Sequence, residues 1–153
     1  MKDLPLVSII MPIRNESEFI EQSLNSVLQQ DYPHEKIEII IADGMSDDGT
    51  REILHPFLSS LSNLYLIDNH KKIIPAGLNL AIKKSKGDFI ARIDGHCMVP
   101  KDYIRKCLSL FDDKEISNAG GLTEHIGKDY FSKAIAFTTR NPLVIGNSRF
   151  RYS

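Results

Sequence analysis

The sequence predicts an α/β fold of three layers, a mainly parallel sheet with helices on both faces, and three observations carry that expectation. Short apolar runs rich in β-branched residues alternate with segments whose apolar residues recur every three or four positions. Several of those runs end in polar stretches dense in turn-forming residues, where a parallel strand hands over to a helix. No internal repeat, low-complexity tract or linker interrupts the alternation, so the 153 residues read as one domain, 1–153, made of right-handed βαβ units.

Leu6–Met11 is the first strand, ended by Pro12. From about Glu16 to Gln30, Phe19, Ile20, Leu24, Val27 and Leu28 form one stripe of a helix, which Asp31-Tyr32-Pro33 breaks. Ile37–Ala42 is the second strand, and the helix after it carries Ile53, Leu54, Phe57 and Leu58 inward with a bend near Pro56. Leu64–Ile67 is the third. Pro75 suits the first turn of a helix that runs to about Lys86 and is closed by Gly87. Asp88–Ile93 is the fourth strand, expected to be buried on both faces. Pro100 opens a helix striped with Tyr103, Ile104, Cys107, Leu108 and Phe111; a strand is expected over Ile116–Ala119 and a helix over Tyr130–Phe137.

Composition excludes several classes of function. Lys plus Arg (19) nearly balances Asp plus Glu (20), and the net charge of -1 provides no electrostatic footprint for nucleic acid or an anionic membrane. Two cysteines, Cys97 and Cys107, are too few for a disulfide scaffold and read as reduced thiols of a cytoplasmic protein. The start has no secretory pattern, and no apolar run approaches the length of a membrane span. The last seven residues offer neither a helix stop nor a closing strand, so the fold is expected to be cut there.

The chemistry sits at the strand ends. Parallel strands end along one edge of a sheet, so the loops Pro12 to Glu16, Asp43 to Asp48 and Asp94 to His96 are expected to converge although far apart in sequence. They bring Asn15 and Glu16; Asp43, Asp47 and Asp48; and Asp94 and His96. Asp94 and His96, separated by Gly95, are two potential ligands for a divalent cation, and such a carboxylate is placed to hold the ion against a diphosphate. Uracil offers an N–H between two carbonyls, which a carboxylate and backbone amides can read. Together these features point to a nucleotide-sugar.

Val7 to Glu16, Asp43 to Thr50 and Arg92 to His96 resemble the successive signatures of family 2 inverting glycosyltransferases, and Ile74 to Asn79 with the Asp-Gly-His triplet is similar to bacterial succinoglycan and exopolysaccharide enzymes. The resemblance covers nearly the whole chain and implies a Rossmann-like GT-A fold. It implies transfer, with inversion, from a nucleoside-diphosphate sugar (a UDP-sugar is favoured) to a saccharide or lipid-linked saccharide acceptor. Pro12, Asn15 and Glu16 would line the nucleoside pocket, with Gly77 and Asn79 beside it. Asp43 would meet the base, Asp94 with Gly95 would begin the diphosphate motif, and Asp94 and His96 would hold the cation. Most of the family has Asp-x-Asp there; the cation is expected to be Mn²⁺ or Mg²⁺, and the imidazole of His96 in the last place suits Mn²⁺ or other transition metals better than Mg²⁺. The family's catalytic base follows the donor half, hence is expected beyond Ser153, and the longer parent would lie at the cytoplasmic face of the membrane.

Plainer readings stand beside these. Asp43 and Asp48 can cap the following helix, and Asn15-Glu16 can be a helix entry. Asp94-Gly95 can be an ordinary turn. Arg92 shares a strand face with Asp94 and either contacts the donor or forms a buried ion pair. Gly77 can simply relieve helix packing. His34, His55, His70 and His125, like Lys71-Lys72 and Lys83-Lys84, read as solvated surface. A catalytically silent nucleotide-sugar-binding module is the alternative function. A nucleotidyltransferase is a weaker one, since Pro12 to Glu16 is not a Gly-rich phosphate loop.

Overall fold

The computed structural model describes residues 4–121, 124 and 130–138. They fall into two compact units, Met1–Arg105 and Lys106–Ser153. The first is built on a four-stranded, wholly parallel sheet in the order β3-β2-β1-β4, with β1 Val7–Ile13, β2 Ile37–Asp43, β3 Leu64–Asp68 and β4 Phe89–Arg92. The chain steps outward from β1 to β3, then returns past β1 to lay down β4, so the order reverses between β1 and β4. With right-handed crossovers, α1 (Ile20–Leu28) and α2 (Thr50–Ser60) cover one face and α3 (Ile74–Lys84) the other.

Every residue of β1 and β2 is buried, as central strands covered on both faces require. Their side chains alternate between two layers. Ile10, Ile40 and Ala42 pack with Ala81 of α3, flanked by Tyr65, Ile67 and Leu78. Ile9, Met11, Ile39 and Ile41 therefore take the opposite face, and Ile20, Leu24 and Val27 of α1 and Leu54 of α2 are buried too. Each large apolar side chain so removed from water contributes about 1.5–3 kcal/mol before the entropy of ordering it is charged.

Five expectations from the sequence need correction. Pro12 does not end β1, which runs on to Ile13. Ile10 and Pro12 turn their main-chain polar groups toward β4, and the register with β4 stops at Ile10, so the missing N–H of Pro12 costs no ladder bond. The helix begins at Ile20 rather than Glu16, because Glu16 O already accepts from Phe19 N and Ile20 N in the preceding turn. Gly87 does not close α3, whose last residue is Lys84 with Ser85 as cap. Arg92 is exposed, because β4 is the outer strand among the described residues and its residues alternate between half-buried and exposed. Ile116–Ala119 forms no strand; Ser117, Asn118 and Ala119 have little β preference. Helix α2 continues through Pro56 to Ser60.

At the edge where the strands begin, a polar staple joins three elements. Ser8 Oγ donates to Glu38 Oε1 at 2.5 Å, directly across the β1–β2 register, and Lys86 N donates to the same oxygen. Gly87 N donates to Ser8 Oγ at 2.8 Å. Glu38 is buried, and these donors are what make its burial tolerable. Helix α4 (Tyr103–Leu110) buries Ile104, whose N–H donates to Gln30 Oε1 at 3.0 Å. In the second unit, α5 (Tyr130–Thr138) carries an edge-to-face Tyr130–Phe131 pair with centroids 5.7 Å apart. No helix among the described residues is long and apolar enough to cross a membrane.

Gly87 is needed for close approach: a Cβ there would lie 2.5 Å from Ser8 Oγ and 2.6 Å from Ser8 N. Gly87→Ala is expected to cost about 1–3 kcal/mol by displacing the staple, read as a lower urea midpoint. Gly120→Ala, whose Cβ would meet nothing within 4 Å, is the control and should change stability by less than about 0.5 kcal/mol.

Candidate functional site

In open α/β sheets, ligands bind outside the carboxyl ends of the strands, where the strand order reverses. Here that point lies between β1 and β4, and the loops around it are tied together. Asn15 N donates to Ser46 Oγ (2.9 Å), Asn15 Nδ2 to Asp47 Oδ1 (3.0 Å) and Asp47 N back to Asn15 Oδ1 (3.1 Å). Glu16 N donates to Thr50 Oγ1 (2.9 Å) and Ser17 N to Asp48 Oδ2 (3.0 Å). Asn15 (φ 55°) and Met45 (φ 58°) are both left-handed. Asn tolerates that conformation; for Met45 it costs roughly 1–2 kcal/mol, which the lacing must cover. Asp48 also accepts from Thr50 N (3.1 Å) and Thr50 Oγ1 (2.5 Å), so it secures the start of α2, as the capping reading expects. These bonds, that from the Thr50 hydroxyl foremost, hold its carboxyl below the usual carboxylate range.

On the other side of the switch point, Gly95 is buried against the end of β1. A Cβ there would lie 2.8 Å from Ile13 Cγ2 and 3.0 Å from Glu16 Cγ. His96 Nδ1 and Glu16 Oε1 are 2.9 Å apart, joining the loops after β1 and β4. Asp94 receives a two-pronged contact from Arg92, Nε to Oδ1 at 2.8 Å and Nη2 to Oδ2 at 3.1 Å. The ion pair expected of Arg92 is thus present but exposed. Ser23 Oγ of α1 donates to Cys97 O at 2.7 Å and lies 3.3 Å from Asp94 O, pinning this loop from beneath. Burial pushes the Cys97 thiol up, away from thiolate chemistry.

The ends of β2 and β3 hold a third group. Asp43 is fully buried. Its Oδ1 accepts from Ser46 Oγ at 2.5 Å, its Oδ2 accepts from Arg51 Nε at 2.5 Å, and Ser46 N lies 3.3 and 3.1 Å from the two oxygens. Arg51 Nη2 donates to Asp68 Oδ1. That bond holds the Asp68 carboxyl below its ordinary range, and Asp68 and Asp43 together raise the Arg51 guanidinium. Asn69 N donates to Asp43 O at 2.8 Å and Asn69 Nδ2 to Ile73 O at 2.9 Å. Its Oδ1 is buried without a hydrogen-bond partner among the described residues.

The structure brings together Asn15, Glu16, Asp43, Asp94, Gly95 and His96, the convergence expected of the three strand ends. Pro12 lies just behind them, buried in β1. Gly77 is buried on α3, where a Cβ would lie 3.1 Å from Asn69 Nδ2 and 3.4 Å from Ala42 Cβ. Asn79 is exposed on the same helix. Among the described residues no group of three or more His, Cys, Asp or Glu is assembled around a cation position. Asp94 and His96 are the residues whose donor types could hold a divalent cation, a carboxylate-imidazole pair suiting Mn²⁺ or other transition metals better than Mg²⁺. Ser46, Thr50, Arg51, Asp68 and Asn69 are the members sequence reading passed over. Asp68-Asn69 closes β3 as Asp43 closes β2, so the strand-end argument extends to it; Arg51 carries no local signal.

Residues 8–150 match the family described as glycosyl transferase family 2. The chain belongs to that family. Among its relatives are the glycosyltransferase AglE of Haloferax volcanii, 35% identical over 122 residues, and the succinoglycan biosynthesis protein ExoA of Rhizobium meliloti, 32% identical over 148 residues. These alignments take in 79% and 94% of this chain but 40% and 44% of the relatives, so the chain spans less than half the length of either. The GT-A fold is shared with the mannosyltransferase PcManGT from Pyrobaculum calidifontis, solved with GDP-Man and Mn²⁺ (TM-score 0.68, 26% identity, 73% of this chain and 34% of that one). It is shared also with Staphylococcus aureus TarS 1–349, solved with UDP (TM-score 0.63, 21% identity, 80% of this chain and 40% of that one).

The lowered Asp48 carboxyl makes a pH prediction for this family 2 chain. A group whose folded pKa is depressed contributes stability that is present above the unfolded value of about 3.9 and is lost as pH falls through the folded value. Asp48→Ala is therefore expected to melt below wild type at pH 7, with the gap narrowing steadily as pH drops below about 4. Thermal melts from pH 2 to pH 7 check this, and a gap independent of pH would show that the charge of Asp48 contributes nothing.

Proposed function

We propose that the chain is the donor-binding part of a family 2 glycosyltransferase that transfers a sugar, with inversion, from a nucleoside-diphosphate sugar to a saccharide or lipid-linked saccharide acceptor, UDP-sugars being the favoured donors. The observation that carries this is the meeting of Asn15-Glu16, Asp43-Asp48 and Asp94-His96 at the switch point of a parallel sheet, in a chain of this family. The nucleoside lies over the ends of β1, β2 and β3, and the diphosphate over the end of β4. Three inter-strand steps of ~4.8 Å separate β3 from β4, a span of roughly 14 Å across which an extended nucleotide can lie. That a relative of the same fold was solved with GDP-Man and Mn²⁺ supports a nucleotide-sugar as the ligand.

Asp94 and His96 would hold a divalent cation, which when bound supplies positive charge to the departing diphosphate. Arg92 then has a second use. Its two-pronged pair with Asp94 orients that carboxylate toward the crevice, where a bound cation would take over the contact. Glu16 orients His96 through the 2.9 Å contact.

Titration of the chain with UDP by calorimetry, with and without Mn²⁺, tests the reading. UDP is expected to bind, and Mn²⁺ to strengthen it at least tenfold. In Asp94→Asn the enhancement by Mn²⁺ should disappear while metal-free affinity stays within about threefold of wild type, and His96→Ala should act in the same direction. No measurable nucleotide binding would overturn the donor-binding reading, and an unchanged metal enhancement in both variants would leave Asp94-Gly95-His96 as a turn.

A further inference from the structure

Resting on that reading, we propose that Ser23 of α1 is a positioning residue for the cation-holding pair, acting through the main chain of the turn that carries Asp94 and His96. The turn is closed by Cys97 N, which donates to Asp94 O at 2.9 Å. Ser23 Oγ serves both of its ends, donating to Cys97 O at 2.7 Å and standing 3.3 Å from Asp94 O. On another side Gly95 is packed so closely on the end of β1 that a Cβ would lie 2.8 Å from Ile13 Cγ2. Held between a hydroxyl and an apolar wall, the main chain of residues 94–97 has one course. Ser23 is fully buried, so it reaches a ligand through the turn and not directly.

Ser23 is the first member of a polar track. Residues 93–102 form neither helix nor strand, so their main-chain groups need partners from elsewhere, and α1 with the residues just past its end supplies them. Ser26 Oγ accepts from Val99 N at 3.2 Å while donating to Ser23 O at 2.7 Å. Gln30, also buried, donates from Nε2 to Pro100 O at 2.8 Å and accepts from Ile104 N at 3.0 Å. Asp31 N donates to Lys101 O at 2.7 Å. Among these groups Ser23 meets the loop at the turn itself, whereas Ser26 and Gln30 grip it past Cys97. Metal–donor distances tolerate only about 0.2 Å, and groups that orient ligands from behind typically contribute about ten- to a hundredfold to metal affinity. Loss of the Ser23 hydroxyl therefore loosens Asp94 and His96 as a pair. The nucleoside side of the crevice is spared, because its loops are laced through Asn15, Ser46 and Asp47.

Calorimetry of the full chain with UDP, with and without Mn²⁺, on wild type, Ser23→Ala, Ser26→Ala and Gln30→Ala, each with a thermal melt, tests the assignment. Ser23→Ala is expected to lower the enhancement by Mn²⁺ about tenfold while leaving metal-free UDP affinity within about twofold of wild type. Ser26→Ala should lower the enhancement less. Gln30→Ala leaves the most buried main-chain groups unpaired, so it should lower the melting temperature furthest yet leave the enhancement unchanged. That order runs against the order of stability, which a merely structural role would not produce. If Ser23→Ala does not fold, a loss of enhancement in Ser26→Ala and not in Gln30→Ala carries the proposal, and equal losses in the two overturn it. An unchanged enhancement in Ser23→Ala, or losses in all variants that follow their melting temperatures, would overturn it as well. Wild type binding UDP with no response to Mn²⁺ overturns it but leaves the donor-binding reading standing; wild type binding no UDP overturns both.

Discussion

The carboxylate of Asp43, with no exposure to solvent, is the constraint around which the site is arranged. An ionised group so placed costs several kcal/mol unless donors surround it, and here the chain supplies them from two directions. Ser46 folds back from the following loop, and Arg51 reaches over from the first turn of α2. Satisfying Asp43 thus fixes the course of the β2–α2 loop. That loop in turn presents Ser46, Asp48 and Thr50 to the main chain of residues 15–17, and Asp47 to the Asn15 side chain. The loop after β1 then carries Glu16 to His96. One buried charge at the end of β2 is in this way coupled, bond by bond, to the end of β4.

The opposite edge of the sheet is organised on the same principle with different chemistry. Glu38 is also buried, but its partners are a hydroxyl and a main-chain amide rather than a guanidinium. Neutral donors satisfy the oxygen without recruiting a second exposed acid, and so this edge closes tightly where the other stays polar and open. Ser8 and Glu38 lie on the face that packs against α3, and Gly87 must come within contact distance of Ser8 for the chain to enter β4.

The elements with strong periodicity were legible in the sequence: β1 to β3, α1 to α3 and α5 form within a few residues of their expected places, because uniform apolar runs and striped helices leave little choice. The edge position of β4 was not, since it depends on which strand β4 pairs with, a fact that no local pattern encodes. Arg92 therefore looked buried and is exposed. Pro12 misled for a related reason. Its effect depends on whether its nitrogen faces a partner, and only the β1–β4 register answers that. At the site, acids at strand ends stood out because burial and turn chemistry both single them out. Arg51 did not, for a lone arginine in a helical turn has no signature until the two carboxylates it joins are seen together.

The left-handed backbone at Asn15 and Met45 has a consequence for how such a chain can diversify. Asn15 is bonded to Ser46 and Asp47, the residues that follow Met45, so neither loop can gain or lose a residue there without unfastening its neighbour. Change in the crevice is thereby confined to exchanging side chains on a backbone of fixed length.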